Sequence, residues 1–436
     1  MSDPRGGAGG PRSELPAAYW WLWTSILVNR LGGFVVPFLA LYLTTERGFS
    51  AAYAGLVAAL YGLGGSVAAV AGGVLADRLG RRTTLLAASL GAAATTATLG
   101  FVTQPLVIAV VAGAVGLTAN ASRPAVSAMM VDLVRPEQRV RAYSLNYWAI
   151  NVGFAVSGAV AGLIAERTYL WLFLGDALMT ALCAVVVFAR VPETGPVAHG
   201  PVEGGSRTGI GQVWRDRRFM ALVGLTFLLG SVLQQAFTTL PIDMSEAGLT
   251  ASDYGRVLAL NGLLVVVVQL PASRWAAGRE PVARLSFGAL LLGWGFGVTA
   301  VAGGDGRAGT LWLYAASVAV WTLGEIVHEP ASMAAAAELS PQRARGRYQG
   351  VYTLAASASA FCGPAAGGAV LDRYGSTAVW GACAVVGTVT AAGYWLLLRH
   401  GKGAMAEAGL GAADGPDDVG RTLGGRLAND GNHSDV

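Results

Sequence analysis

Glu325, His328 and Glu329 are the residues best placed to do chemistry, because they interrupt an apolar run at about 310–334. Offsets of three and four place them on one helical face. A carboxylate in hydrocarbon is costly unless it meets water or a partner, so the cluster is a candidate for taking up and releasing a proton. Glu325 is read as the main proton carrier. The ordinary alternative pairs Glu329 permanently with an arginine and leaves Glu325 bonded to backbone. Arg30 and Arg123 also fall inside apolar runs, Arg30 the deeper of the two, and either faces a cavity or reaches toward the membrane surface. Asp176 interrupts a further run at Leu174-Gly175-Asp176-Ala177, where a structural hydrogen bond is as good an account as proton coupling. Gln234, Gln235 and Asn261 are uncharged polar groups that either contact a substrate or bond helix to helix, the latter worth about 0.6 kcal/mol each.

These groups stand out because the rest of the chain is apolar. Of 436 residues 54% are hydrophobic and 13% charged, whereas a soluble domain carries about 25% charged residues. Apolar runs recur at about 18–43, 51–76, 83–103, 105–130, 142–165 and 168–190, then 219–242, 252–272, 283–302, 310–334, 347–371 and 376–398. Each is near the ~20 residues that a helix needs to cross a bilayer. The expected fold is an all-α membrane protein of twelve transmembrane helices. Cys183, Cys362 and Cys383 lie in apolar segments without ligand spacing and read as small buried residues. No metal, cofactor or nucleic acid is expected; the expected partners are a small-molecule substrate, protons and the lipid bilayer, with the chain a monomer.

Arginine placement gives an orientation. With the amino terminus in the cytoplasm, 23 of the 30 basic residues fall inside, five (Arg47, Arg167, Arg256, Arg307 and Arg373) outside, and Arg30 and Arg123 within spans. By the positive-inside rule both termini are expected in the cytoplasm. The expected organisation is a disordered tail at 1–17, a six-helix bundle at 18–191, a Gly-, Pro- and charge-rich linker at 192–216, a second bundle at 217–399, and a disordered tail at 400–436.

An internal repeat supports two halves. Asp132-Leu133, Pro136, Tyr143, Tyr147, Gly158 and Gly162 reappear about 205 residues later as Glu338-Leu339, Pro341, Tyr348, Tyr352, Gly363 and Gly367. Arg123-Pro124 falls opposite Glu329-Pro330. Two parallel six-helix bundles, related by an axis along the membrane normal with a path between them, would produce this pattern.

Between the second and third runs lies Gly73-Val74-Leu75-Ala76-Asp77-Arg78-Leu79-Gly80-Arg81-Arg82, a charged turn in which Gly73 and Gly80 permit close approach and a sharp bend. This stretch resembles the signature loop of the major facilitator superfamily. Further features resemble its proton-driven drug-exporter branch: Asn29-Arg30 to Pro37-Phe38 in the first run, Gly158-Ala159-Val160-Ala161-Gly162 in the fifth, and Cys362-Gly363-Pro364 to Gly368 in the eleventh. The fifth run lacks the proline of the exporters' motif. The second half's counterpart of the loop, Arg274 to Glu280, has no acid at the place of Asp77. The resemblance implies the major facilitator fold, two pseudo-symmetric six-helix bundles with runs one, four, seven and ten around a cavity. It also implies that Asp77 docks on a helix end of the other half, with Arg78 and Arg81 in a relay that closes the cytoplasmic side. An Arg123–Glu329 pair across the cavity is then plausible.

Together these readings describe a proton-driven secondary transporter, most simply an exporter of a hydrophobic or amphiphilic small molecule. A nutrient symporter of the same fold is the first alternative, left open by the proline-free fifth run. A membrane enzyme would need clustered ligands that four scattered histidines do not supply, and no GxxxxGK[ST] sequence points to an ATP motor. A receptor would leave the intramembrane carboxylates unexplained.

Overall fold

Backbone N–H and C=O groups find no water in hydrocarbon, so each apolar run must satisfy them internally as a helix. The computed structural model describes residues 15–194, 211–277, 279–301, 306–341 and 344–410, and among these no strand occurs. Twelve helices are long and apolar enough to cross a bilayer. Spans 1 to 6 are Ala17–Glu46, Ala51–Leu79, Arg81–Phe101, Pro105–Leu133, Pro136–Ala165 and Leu170–Arg190. Spans 7 to 12 are Arg217–Glu246, Ala251–Ala272, Pro281–Ala300, Arg307–Glu338, Arg347–Tyr374 and Ser376–Leu397. Every expected apolar run is one of these helices. The outward faces stay apolar, with Val70, Leu106 and Trp312 more than 70% exposed, as contact with lipid tails requires.

The face where span 1 begins is called the near face, and the opposite one the far face. Caps set several boundaries. Ser50 accepts a hydrogen bond from the Tyr53 amide at the start of span 2, and Asp216 from the Phe219 amide at the start of span 7 (3.0 Å).

Spans 1 and 7 are both broken near the middle. Span 1 is helical over Ala17–Leu31, opens at Gly32 to Phe34, and resumes at Val35–Leu41. Span 7 is helical over Arg217–Leu233, tightens over Gln234–Ala236, and resumes at Thr239–Glu246. Each second segment has a proline at its third position, Pro37 and Pro241, where the missing N–H costs little. Pro124 and Pro330 likewise sit at matching places inside spans 4 and 10.

Three expectations need correction. Cys183 and Cys383 are buried, but Cys362 is exposed because its side of span 11 is not covered by a neighbouring helix. The last helix runs from Ser376 to Leu410, so residues 400–410 of the expected tail are helical. Within the expected linker, Gly211–Arg215 forms a short helix; residues 195–210, like 1–14 and 411–436, lie outside the described residues.

One buried acid fastens the second bundle at the far end of span 7. Asp243 accepts hydrogen bonds from the Tyr314 hydroxyl (2.6 Å) and the Trp380 indole N–H (2.9 Å), drawing spans 10 and 12 onto span 7. Phe296 stacks between the Trp321 and Trp380 rings behind it. Replacing Asp243 by Ala strands two buried donors at about 1–3 kcal/mol each. Asp243→Ala is expected to lower the melting temperature of the detergent-purified protein by several degrees, and Asp243→Asn, which keeps an acceptor, by less.

Candidate substrate pathway and coupling site

Contacts between the two bundles gather in the far half, where side chains are small enough for backbones to touch. Gly158 and Gly162 of span 5 pack against Ala251, Ser252 and Gly255 of span 8, and Gly262 meets Ala155. On the other side Gly55 and Gly62 of span 2 pack against Pro364, Gly368 and Ala360 of span 11. The glycines of the fifth and eleventh runs are therefore the places where the bundles touch. Two further contacts close this face. The Tyr254 hydroxyl sits within hydrogen-bond reach of the Pro37 (3.2 Å) and Ala236 (3.0 Å) carbonyls while its ring packs on Phe38. The Asp372 carboxylate of span 11 accepts the Ala51 and Ala52 amides at the start of span 2, both at 2.9 Å.

Beneath this contact the structure opens. A cavity of about 540 Å³ lies inside the first bundle, lined among others by Asn29, Arg30, Asn120, Arg123 and Asp176. A second, of about 430 Å³, lies between the bundles and shares Val36, Tyr61, Asn120 and Arg123 with the first, so the two adjoin. Its remaining walls come from spans 2, 7 and 11, including Gln234, Phe237 and Ala360. Arg123, Tyr147, Pro330 and Thr353 are exposed on the near side.

Of the expected cavity residues, Arg30, Arg123 and Gln234 line these spaces and Gln235 and Asn261 do not. The Gln235 amide donates to the Ser231 and Gly363 carbonyls, both at 2.9 Å, and its oxygen accepts from Thr239. It stitches the broken part of span 7 to span 11. Asn261 donates to Thr322 (3.0 Å) and to the Glu325 carboxyl (3.2 Å). Asp176 lines the first cavity and also serves the break in span 1, accepting the Val35 amide (3.1 Å) at the start of the second helical segment. A carboxylate is favoured at such a helix start. Thr180 donates to Asp176 and accepts from Asn29, extending the network to span 1.

The acids of span 10 divide. Glu325 is half-buried and held by Asn261, with no cation in ion-pair range. Glu329, one turn on, has no hydrogen-bond or ion-pair partner among the described residues and lies within electrostatic reach of Tyr147 across the gap. His328 does not join them. Its ring is buried, packs against Gly288 of span 9 and bonds Tyr394 of span 12 at 3.1 Å, because a residue adjacent to Glu329 points about 100° away around the helix. The Arg123–Glu329 pair is not formed in this structure.

In the signature loop, Gly80 turns the chain with φ +92°. Gly73 has open space around it; Gly72, facing Ala121 of span 4, makes the close approach instead. Asp77 and Arg78 are exposed, and Asp77 has no partner among the described residues. Arg81 forms a buried ion pair with Asp132 at the end of span 4. Two residues with clear roles escape a sequence reading. Glu193 accepts the Arg81 (2.7 Å), Arg82 (3.0 Å) and Thr83 (3.2 Å) amides, capping span 3; its only signal is an acid directly after the sixth run. Asp372 is signalled by its place at the end of the eleventh run, where no gate was expected.

Comparison with known proteins agrees with this architecture. The family profile described as Major Facilitator Superfamily matches residues 22–324 and 236–415. The chain is 29% identical to Multidrug resistance protein MdtH of Cronobacter sakazakii over 345 residues, covering 78% of this chain and 83% of that one. It is 27% identical to the uncharacterised MFS-type transporter YqjV of Bacillus subtilis, over 81% of this chain and 87% of that one. Among solved structures, it is similar to the nucleoside transporter NupG (TM-score 0.73, 14% identity, 88% of this chain and 100% of that one). It is also similar to a POT family transporter in complex with 5-aminolevulinic acid (TM-score 0.73, 17% identity, 88% and 96%). Three of the four are named as transporters and the fourth for multidrug resistance, which with the family match sets the membrane-enzyme alternative aside. Twelve spans in two halves, meeting at one face over a central cavity, thus have their relatives: the chain belongs to the Major Facilitator Superfamily and is a multi-pass membrane transporter.

Proposed function

We propose that this transporter exports an amphiphilic small molecule by alternating access, driven by inward proton movement through Glu325, with both termini and the near face in the cytoplasm. The observation that carries the reading is Glu325 itself, an acid in the body of span 10 with one amide donor and no cation beside it. A carboxylate so placed is expensive to keep charged, whereas its protonated form rests comfortably against Asn261. Glu329, nearer the open side, is the entry or exit point for the proton. Export is supported by the similarity to proteins named for multidrug resistance, and the orientation by the arginine-rich near-face loops. The contacts at the far face, with cavities exposed toward the near face, correspond to an inward-open state.

Two outcomes follow. In proteoliposomes with a pH dye inside, wild type is expected to move protons opposite to an exported lipophilic substrate. Glu325→Gln is expected to lose at least about tenfold of uphill transport while still exchanging substrate, as removal of a proton-transfer group does. Unchanged uphill transport in Glu325→Gln, or proton movement in the same direction as the substrate, would refute the assignment. Leu at Gly255 has no room against the Gly158 carbonyl. Gly255→Leu, overpacked by about 1–3 kcal/mol, is expected to fold yet transport poorly, with far-face positions more accessible to a membrane-impermeant thiol reagent.

A further inference from the structure

Arg30 and Arg123 line one cavity, and neither has a hydrogen-bond or ion-pair partner among the described residues. Arg30 is fixed at its base: its Cβ occupies the space that a side chain on Gly153 of span 5 would need. From there the guanidinium extends into the space that Arg123 enters from span 4. Two unpaired guanidinium groups sharing a cavity repel each other and lack the acceptors their planar donors suit. Asp176 is the only carboxylate among the described lining residues, and its oxygens already receive the Val35 amide and the Thr180 hydroxyl. The adjoining second cavity is lined mainly by uncharged groups such as Phe237, Ala360 and Pro364. One end of the pathway is therefore built for negative charge and the other for an apolar body.

We propose that Arg30 and Arg123 form the head-group site for an amphiphilic organic acid, whose carboxylate they bind together and whose apolar part lies between the bundles. The assignment rests on the transporter reading and names its substrate class. A carboxylate facing two guanidinium groups gains charge-assisted, bidentate hydrogen bonds, which are about twice as strong as neutral ones. The test uses the purified full chain in lipid nanodiscs and three probes of one shape: 2-naphthoate, its methyl ester and 2-naphthylmethylammonium. Naphthoate is expected to raise the melting temperature saturably and to bind at least about tenfold tighter than the other two. Arg30→Gln and Arg123→Gln should each weaken naphthoate about tenfold or more, and Arg30→Lys less. Arg123 is exposed, so its variant is expected to fold even if Arg30→Gln does not. Equal binding of the ammonium probe, or unchanged naphthoate binding in a folded variant, overturns the site. If naphthoate binds as expected but proteoliposomes do not move it, the site stands and the transport reading fails. If cations are transported and naphthoate does not bind, the reverse holds.

Discussion

Close backbone approach between the two bundles is the constraint on which the structure depends. In lipid no hydrophobic force drives helices together, so association relies on packing and hydrogen bonds between surfaces that fit. Gly158, Gly162 and Gly255 on one side, and Gly55, Gly62 and Gly368 on the other, provide surfaces with no side chains in the way. They hold the far face together while leaving the near half free to separate. The same smallness makes the contact reversible, since little buried side-chain area must be undone for the bundles to rock apart.

That freedom obliges the middle of the molecule to tolerate broken helices. Interrupting spans 1 and 7 releases backbone groups that hydrocarbon cannot satisfy, and each break is repaired by a side chain from another span or the break itself. Asp176 answers the Val35 amide in span 1, and Gln235 answers the Ser231 carbonyl in span 7. From sequence both were open to two readings, coupling or substrate contact on one side and a structural hydrogen bond on the other. The hydrogen bonds of both fit the structural one. Arg30, Arg123 and Glu329, by contrast, have no hydrogen-bond or ion-pair partner among the described residues.

How much the sequence revealed follows from the range of each interaction. The twelve spans were legible because helix length and apolarity are local properties, and the two halves because the repeat preserved prolines, tyrosines and glycines at matching places. Glu325 stood out as a candidate because an acid in an apolar run is costly wherever the run packs. His328 was misplaced because a three-residue offset suggests a shared face, while its true surroundings, Gly288 and Tyr394, come from spans 9 and 12. Gly73 and Gly72 are adjacent, and only the packing of span 4 decides which is used. Glu193 and Asp372 are ordinary acids at helix ends, and their value comes from amides more than 100 residues away.

The repeat also explains why the central space is electrically lopsided. Arg123 and Glu329 occupy equivalent places, each just before a proline inside its span, yet one is a base and the other an acid. Related halves that kept their backbone but exchanged the sign of this side chain now place an arginine on the cavity wall in span 4 and an acid at the equivalent point of span 10. When the near face is open, as here, the two are not paired; on the proposed reading the arginine is then available to an anionic head group and Glu329 to the proton on its way to or from Glu325. Closing the near face brings the halves together, and the arginine and the acid then compete with those cargoes for each other. On that reading one rigid-body movement decides whether each charge faces water, cargo or its opposite number, and the same movement opens or shuts the path by which Glu325 gains or loses its proton.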